Sequence, residues 1–155
     1  MAAGLFLLGV IAAVVLWPVG HSGPEPITYG RDACAECRMH LAQPGFAGEL
    51  RDRRGMLTKY DDLGCLLRAM VKAHAEMPEA WVEDHDGGGW TPLLGAHLVR
   101  AGSAGTPMGY GIVAFKDEAG AQAFAAARGG EAVRLEDLVR DPSRLARVGG
   151  EEGHP

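Results

Sequence analysis

The chain has 155 residues, enough for one compact domain or two small lobes that share a core, and too few for a large multidomain enzyme. Its 15 Lys and Arg residues against 20 Asp and Glu residues give a net charge of −5, which excludes the basic footprint of a nucleic-acid-binding protein. The hydrophobic fraction of 47% is that of a globular protein, although part of it lies in one block at the start of the chain.

Residues 1–19 carry no charged side chain. As a helix this segment would span about 28 Å at roughly 1.5 Å per residue, close to the hydrocarbon thickness of a bilayer. No basic residue precedes it, which favours an uncleaved anchor over a signal peptide; a buried core helix is the remaining alternative. We therefore predict a membrane anchor or signal segment over 1–20 and a linker over 21–31, and we place the rest of the chain on the periplasmic side of a bacterial cytoplasmic membrane.

The first half of the soluble part has the pattern strand, strand, helix, strand. Residues 46–50 and 56–60 are short strand-like runs on either side of a charged turn, which predicts a hairpin. Asp61 or Asp62 is the expected N-cap of a helix that ends before Pro78. Its apolar positions recur at helical spacing: Leu63, Leu66, Leu67, Met70, Val71 and His74. Residues 80–83 predict the third strand.

The second half repeats this order. Residues 97–101 and 111–115 predict strands, residues 117–128 predict an Ala-rich helix that ends at Gly129, and residues 132–135 predict a last strand. A glycine run at 87–89 separates the halves. We predict an α+β fold of two ββαβ-like lobes over about 32–86 and 90–140, followed by a flexible tail over 141–155.

Three cysteines are an odd number, so at most one disulfide can form within the chain. Cys34 and Cys37 form a single CxxC motif, which suits a redox-active dithiol, half of a zinc site or a soft-metal site. A redox motif is expected between a strand and a helix, whereas this one lies between the linker and a loop. Cys65 could complete a zinc site with a histidine, but as a helix residue it is more simply a small buried apolar side chain.

Two methionines favour a soft-metal site over the other two interpretations of the CxxC motif. Met39 lies two positions after Cys37 and is followed by His40. Thiolate and thioether sulfurs suit Cu(I), so a Cys-x-Met-His cluster favours Cu(I) over zinc. Met108 lies in a loop bounded by proline and glycine, where rigid backbone can present a ligand. The alternative for both methionines is ordinary apolar packing.

The other candidate groups are weaker. His74 and His97 lie inside predicted elements and are expected to be structural, and His85 is expected to be a solvated loop residue. Asp61 and Asp62 are expected to be helix caps and not catalytic acids. No Ser/His/Asp order, phosphate loop or dinucleotide fingerprint is present.

A series of short motifs resembles the NosL family, whose members are membrane-attached copper chaperones for the maturation of nitrous-oxide reductase. The resemblance covers about residues 32–138, and the order and spacing of the motifs make it specific. The motifs are CxxCxM at 34–39, FAGE at 46–49, KYDDLGC at 59–65, WVED at 81–84, TPMG at 106–109, IVAF at 112–115 and the glycine pair at 129–130.

The resemblance implies two ββαβ-like lobes with an architecture related to organomercurial lyase. It also implies Cu(I) binding by Cys37, Met39 and Met108, with Cys34 able to share the site. His40 is a further candidate ligand on its spacing alone. The expected partners are a copper-accepting apo-enzyme, above all nitrous-oxide reductase, and a membrane transporter-type assembly protein, while a homodimer stays open.

The sequence departs from the family pattern in two places. The family has Cys-Gly-Met where this chain has Arg38 between Cys37 and Met39, and an arginine is strained if that position has a positive φ. Many members are lipoproteins anchored through a cysteine at the end of the signal. The first cysteine here is Cys34, so a helical anchor is expected to replace the lipid.

We therefore expect a carrier and not a catalyst. Three alternatives remain: a thiol–disulfide oxidoreductase that uses Cys34 and Cys37, a structural zinc protein, and, from the implied architecture, cleavage of an Hg–C bond by Cys37, Cys65 and an aspartate. In an oxidising compartment, copper loading should compete with disulfide formation between Cys34 and Cys37.

Overall fold

A computed structural model describes residues 23–73 and 79–148 of the chain. The predicted membrane segment at 1–20 lies outside these residues, as does the predicted end of the first helix near Pro78. Within the two described ranges, no helix combines the length and the apolar character needed to cross a bilayer.

Two antiparallel sheets form the framework. The first sheet has the order β2-β1-β3-β4 and consists of β1 (Gly48–Arg51), β2 (Leu57–Tyr60), β3 (Glu79–Glu83) and β4 (Trp90–Pro92). The second has the order β6-β5-β7 and consists of β5 (His97–Arg100), β6 (Ile112–Phe115) and β7 (Glu131–Val133). Helix α1 (Leu63–Lys72) lies between β2 and β3 in the chain, and α2 (Glu118–Arg128) lies between β6 and β7.

The two sheets repeat one topology. In each, a hairpin comes first, a helix follows, and the next strand pairs with the free side of the first hairpin strand. The register pairs Gly48 with Tyr60 in one hairpin and His97 with Phe115 in the other. This confirms the predicted α+β class and the repeated ββαβ order, to which β4 adds one edge strand.

The start of α1 and the end of α2 lie where the capping signals place them, whereas α1 ends at Lys72, before the predicted stop at Pro78. Asp62, and not Asp61, is the N-cap of α1, and its side chain accepts a hydrogen bond from the Gly64 N–H at 2.7 Å. Gly129 ends α2 in the left-handed conformation with φ 63°, which glycine adopts without steric cost. Helix α1 contacts β1 and β2 of its own sheet and also β6 of the second sheet, so the lobes share a core.

The end of the described chain differs from the expected tail. A short helix α3 (Leu135–Arg140) begins where the last strand was predicted to end, and a 3-10 turn (Pro142–Leu145) follows it. Leu138 and Leu145 are buried, and both elements contact α1. Apolar burial therefore orders residues to 145 that the glycine-rich composition assigned to the tail.

The described part of the predicted linker is also bound to the fold. Three side chains of the first sheet hold its backbone: the Glu49 carboxylate accepts from Glu25 N at 2.8 Å, Arg51 donates to Gly23 O at 2.7 Å, and Lys59 donates to Pro26 O at 2.8 Å. Residues 23–31 therefore form a strap over this sheet and not a free spacer, because the sheet supplies the partners that their backbone needs.

His85 is not the solvated loop residue that was expected. Its ring lies 5.0 Å from the ring of Phe46, 5.7 Å from that of Phe115 and 5.1 Å from that of Phe124, between centroids. Its backbone N–H donates to Ala114 O at 3.0 Å. The surrounding Asp residues suggested a solvated segment, but contacts with aromatic rings from both lobes half-bury the imidazole.

The close approach of α1 to the second lobe gives a prediction about stability. A Cβ atom at Gly64 would lie 2.0 Å from Cγ of Tyr110, so Gly64→Ala should lower the free energy of unfolding by about 1–3 kcal/mol despite the better helix propensity of alanine. At Gly95 a Cβ atom would meet no neighbour within 4 Å, so Gly95→Ala should change it by less than about 0.5 kcal/mol. Urea unfolding measures both, and equal effects would contradict this packing.

Candidate metal centre

A tight turn brings the two cysteines of the CxxC motif together. The N–H of Cys34 donates to Met39 O at 2.8 Å, and the N–H of Arg38 donates to Cys34 O at 3.0 Å. These two bonds close the backbone from 34 to 39 on itself. Cys37, inside this turn, is thereby returned to the neighbourhood of Cys34.

The turn is attached to the edge of the first sheet. The N–H of Ala35 donates to Lys59 O at 2.9 Å, and the Lys59 ammonium lies 2.8 Å from a carboxylate oxygen of Asp32. Strand β2 leads directly into α1, so the same short segment that holds the turn also positions the first turn of the helix. Cys65 lies in that first helical turn.

The three cysteines converge as a result. The Sγ atoms of Cys34, Cys37 and Cys65 all lie within 4.8 Å of one another, and none forms a disulfide. Cys34 and Cys65 are each 1% exposed, whereas Cys37 is half-buried. Over residues 23–73 and 79–148, no other three Cys, His, Asp or Glu side chains bring ligand atoms so close. The arrangement is a preformed site of three soft ligands with one accessible member.

Hydrogen bonding within the cluster favours one thiolate. A hydrogen bond from the Cys65 thiol lowers the pKa of Cys34, and the same bond, together with burial, raises the pKa of Cys65. Burial also raises the pKa of Cys37. Cysteine binds a metal ion as the thiolate, so metal binding at this cluster would release the protons that the thiols hold.

A loop of the second lobe reaches the same region. Met108 precedes β6 and is half-buried against the core cluster that contains Cys34 and Cys65. Its backbone N–H donates to the side chain of Asp62 at 2.9 Å. The loop is therefore tied to the N-terminus of α1, three residues before Cys65.

The remaining predicted ligands lie at the surface. The Met39 side chain is 58% exposed, and His40 is exposed and forms an isolated antiparallel bridge with Ala33. The structure thus brings Cys34 and Cys37 together, holds Met108 beside the N-terminus of the helix, and leaves Met39 and His40 at the rim.

The sequence interpretation considered Cys65 only as a possible zinc ligand or a buried apolar residue and left it out of the expected Cu(I) ligands. The available signal was the odd number of cysteines, which left one thiol without a role. Its helical spacing matched that of buried apolar side chains, and the structure shows that it is both buried and part of the thiol cluster. Burial of Cys65 therefore does not distinguish an apolar core residue from a metal ligand.

Comparison with known proteins identifies the family and the fold. The sequence model of the NosL family matches residues 26–142. The chain belongs to the NosL family. Its fold is similar to the crystal structure of the copper chaperone NosL from Shewanella denitrificans, with 20% identity and a TM-score of 0.66 over 74% of this chain and 94% of that chain. No curated protein matches the chain.

Arg38 occupies the position where the NosL pattern has glycine. Its φ is 66°, and among the described residues it is the one non-glycine residue with a positive φ. The expected strain is therefore present, because a side chain in the left-handed region crowds its own backbone. The turn that carries Cys37 keeps its glycine-like geometry even though glycine is absent.

This strain predicts that glycine is preferred at position 38. Arg38→Gly should raise the free energy of unfolding by about 0.5–1 kcal/mol, because the relief of strain exceeds the entropic cost of glycine. Arg31→Gly is the matched control: it removes an exposed arginine nearby whose φ is not positive, so it should be neutral or destabilising. Urea unfolding of the metal-free chain measures both variants, and a loss of stability in Arg38→Gly equal to that in Arg31→Gly would contradict the interpretation.

Proposed function

We propose that this NosL family member is an extracytoplasmic carrier that binds Cu(I) and delivers it to an apo-cuproenzyme, with nitrous-oxide reductase as the expected acceptor. The observation that carries the proposal is the convergence of three free cysteine sulfurs within 4.8 Å. Membership in a family with a copper chaperone of the same fold supports it.

The donor set favours Cu(I) over a hard or borderline cation. Thiolate and thioether sulfurs are soft ligands, whereas structural zinc takes four ligands in a closed tetrahedron. The cluster has three sulfurs, and no carboxylate or imidazole belongs to it within the part of the chain that the structure describes. We propose Cys34, Cys37 and Cys65 as the ligands, with Met108 as a fourth sulfur.

The unequal burial of the sulfurs suits a carrier. Cys34 and Cys65 would retain the ion inside the protein, while Cys37 is the member that an approaching ligand can reach. A ligand of the acceptor would displace Cys37 first and then take the ion stepwise. The exposed side chains of Met39 and His40 lie at the rim, and we propose that they receive the ion during this exchange.

The cell location follows from the same proposal. An anchor at residues 1–20 would hold the carrier on the outer face of the cytoplasmic membrane. A transporter-type membrane protein and the acceptor enzyme would then meet it there. A site completed within one chain requires no second copy, so we propose that the carrier acts as a monomer in the absence of a partner.

The thiol–disulfide alternative is less compatible with the cluster. Exchange needs an accessible thiolate. Here Cys34 is 1% exposed, and only the half-buried Cys37 can be reached by a partner disulfide. The third sulfur, that of Cys65, lies within 4.8 Å of both, an arrangement that suits a metal ion better than exchange by a pair of cysteines.

An anaerobic competition titration tests the proposal. The full chain, kept in detergent, should bind one Cu(I) and prefer it to Zn(II). Cys65→Ser should weaken Cu(I) binding by at least about a hundredfold, more than the loss of an outer-shell partner. Met70→Leu changes a buried methionine of the same helix that lines a separate pocket with Trp81 and Leu93, and it should leave the affinity unchanged.

Two outcomes would contradict this proposal. One is a wild-type chain that retains Zn(II) with no preference for Cu(I), which would favour a structural zinc site. The other is Cu(I) binding in Cys65→Ser that is as tight as in the wild type, which would remove the buried thiol from the ligand set.

A further inference from the structure

We propose that Asp62 is a positioning residue of the copper site: it holds Cys65 of the first lobe and Met108 of the second lobe beside each other. The inference rests on the proposed function, because it assigns a role to Asp62 in binding the same Cu(I) ion. It goes beyond the ligand set, because Asp62 supplies no ligand atom.

Asp62 contacts the backbone of both sulfur-bearing residues. Its side-chain Oδ2 accepts a hydrogen bond from the N–H of Met108 at 2.9 Å. Its main-chain carbonyl accepts a hydrogen bond from the N–H of Cys65 at 2.9 Å. One residue therefore fixes the two positions from which the sulfurs extend.

The other polar partners of the Asp62 carboxylate also belong to α1 and to the loop that carries Met108. Oδ1 accepts from the N–H of Gly64 at 2.7 Å, and the side chain of Thr106 and the backbone of Tyr110 make further favourable polar interactions with the carboxylate. Every one of these groups belongs either to the first turn of α1 or to the loop that carries Met108. The carboxylate thus connects the two lobes at one point.

Helix capping alone does not explain this arrangement. Asp117 caps α2 in the same way, accepting from Gly120 N, but it is exposed and holds no loop of the other lobe. Asp62 is 0% exposed. Burial of a carboxylate is costly unless several donors satisfy it, so a cap buried between the lobes is expected only where the contact it makes is needed.

Asp62 holds the Met108 loop against α1, while the N–H groups of Val148 and Ala101 donate to Gly109 O at 2.7 Å and Gly111 O at 2.8 Å on its other sides. The segment from Thr106 to Gly111 lies between β5 and β6, and Gly109 and Gly111 have φ values of 72° and 67°. Hydrogen bonds within it, from Gly109 N to Thr106 O and from Gly111 N to Thr106 Oγ1, shape the loop locally. Asp62 supplies the hydrogen bonds that place the loop against α1.

Asp62→Asn separates capping from positioning. Asparagine caps helices as well as aspartate does, so its oxygen can keep the bond to Gly64, while its amide N–H₂ group would face the N–H of Met108 and lose that bond. Thr106→Val is a second variant, which removes the hydroxyl on the loop side of the same contact. Asp117→Asn is the matched control, because it makes the same change in a cap remote from the cysteines.

The experiment is a double-mutant cycle in Cu(I) affinity, measured anaerobically on the full chain in detergent with a chromophoric Cu(I) competitor. Met108→Leu removes the proposed fourth sulfur, whereas Asp62→Asn and Thr106→Val leave it in the chain but misplace it. Each variant should weaken binding by about tenfold, which for the last two is in the range for loss of outer-shell partners. In a chain that already carries Met108→Leu, neither Asp62→Asn nor Thr106→Val should weaken binding further, because the sulfur that they misplace is already absent. A general loss of structure would lower affinity in the Met108→Leu background as well.

Three results would overturn the inference while leaving a three-thiol site intact: additive losses of about a hundredfold in the double variants, wild-type affinity in both Asp62→Asn and Thr106→Val, or no effect of Met108→Leu. An equal loss in Asp117→Asn would also overturn it, because the effect would then follow from any altered cap. Failure of the wild type to bind Cu(I) is a separate result, which contradicts the proposed function itself.

Discussion

The candidate copper site depends on hydrogen bonds made by four residues, the last two of β2 and the two that lead from it into α1. This junction, residues 59–62, holds both loops that carry sulfur ligands. Its contacts are those of Lys59 O with Ala35 N at 2.9 Å, Asp61 Oδ1 with Ala42 N at 3.0 Å and Asp62 Oδ2 with Met108 N at 2.9 Å. The same four residues start the helix that carries Cys65. The ligand geometry is therefore set by a strand-to-helix junction and not by the CxxC motif alone.

The cluster would hold a metal ion firmly and still allow an acceptor to reach it. Two sulfurs are withdrawn from solvent and one remains accessible, so an ion would be held without being sealed in. The low exposure of Cys34 also protects the site, because disulfide exchange requires access to a thiolate. Transfer to an acceptor would begin at Cys37, because its displacement opens a position on the ion that faces solvent.

Much of the fold could be predicted because its signals are local. Periodicity placed two of the three helices and six of the seven strands, and residue type indicated Asp61 or Asp62 as the N-cap of α1 and Gly129 as the end of α2. The Cys–Met pattern likewise indicated a soft-metal site. Features that depend on contacts between distant residues could not be predicted in this way. Cys65 lies beside the CxxC motif because Ala35 pairs with Lys59, and a short stretch of sequence does not reveal that hydrogen bond. The strap at 23–31 and the burial of Leu145 were missed for the same reason.

X-ray absorption at the copper edge of the Cu(I)-loaded full chain tests the central claim most directly, since it counts the atoms bound to the metal. The account predicts a first shell of at least three sulfur atoms without nitrogen or oxygen in the wild type, and one sulfur fewer in Cys65→Ser. A shell dominated by nitrogen and oxygen, or a shell that Cys65→Ser leaves unchanged, would contradict the three-cysteine site.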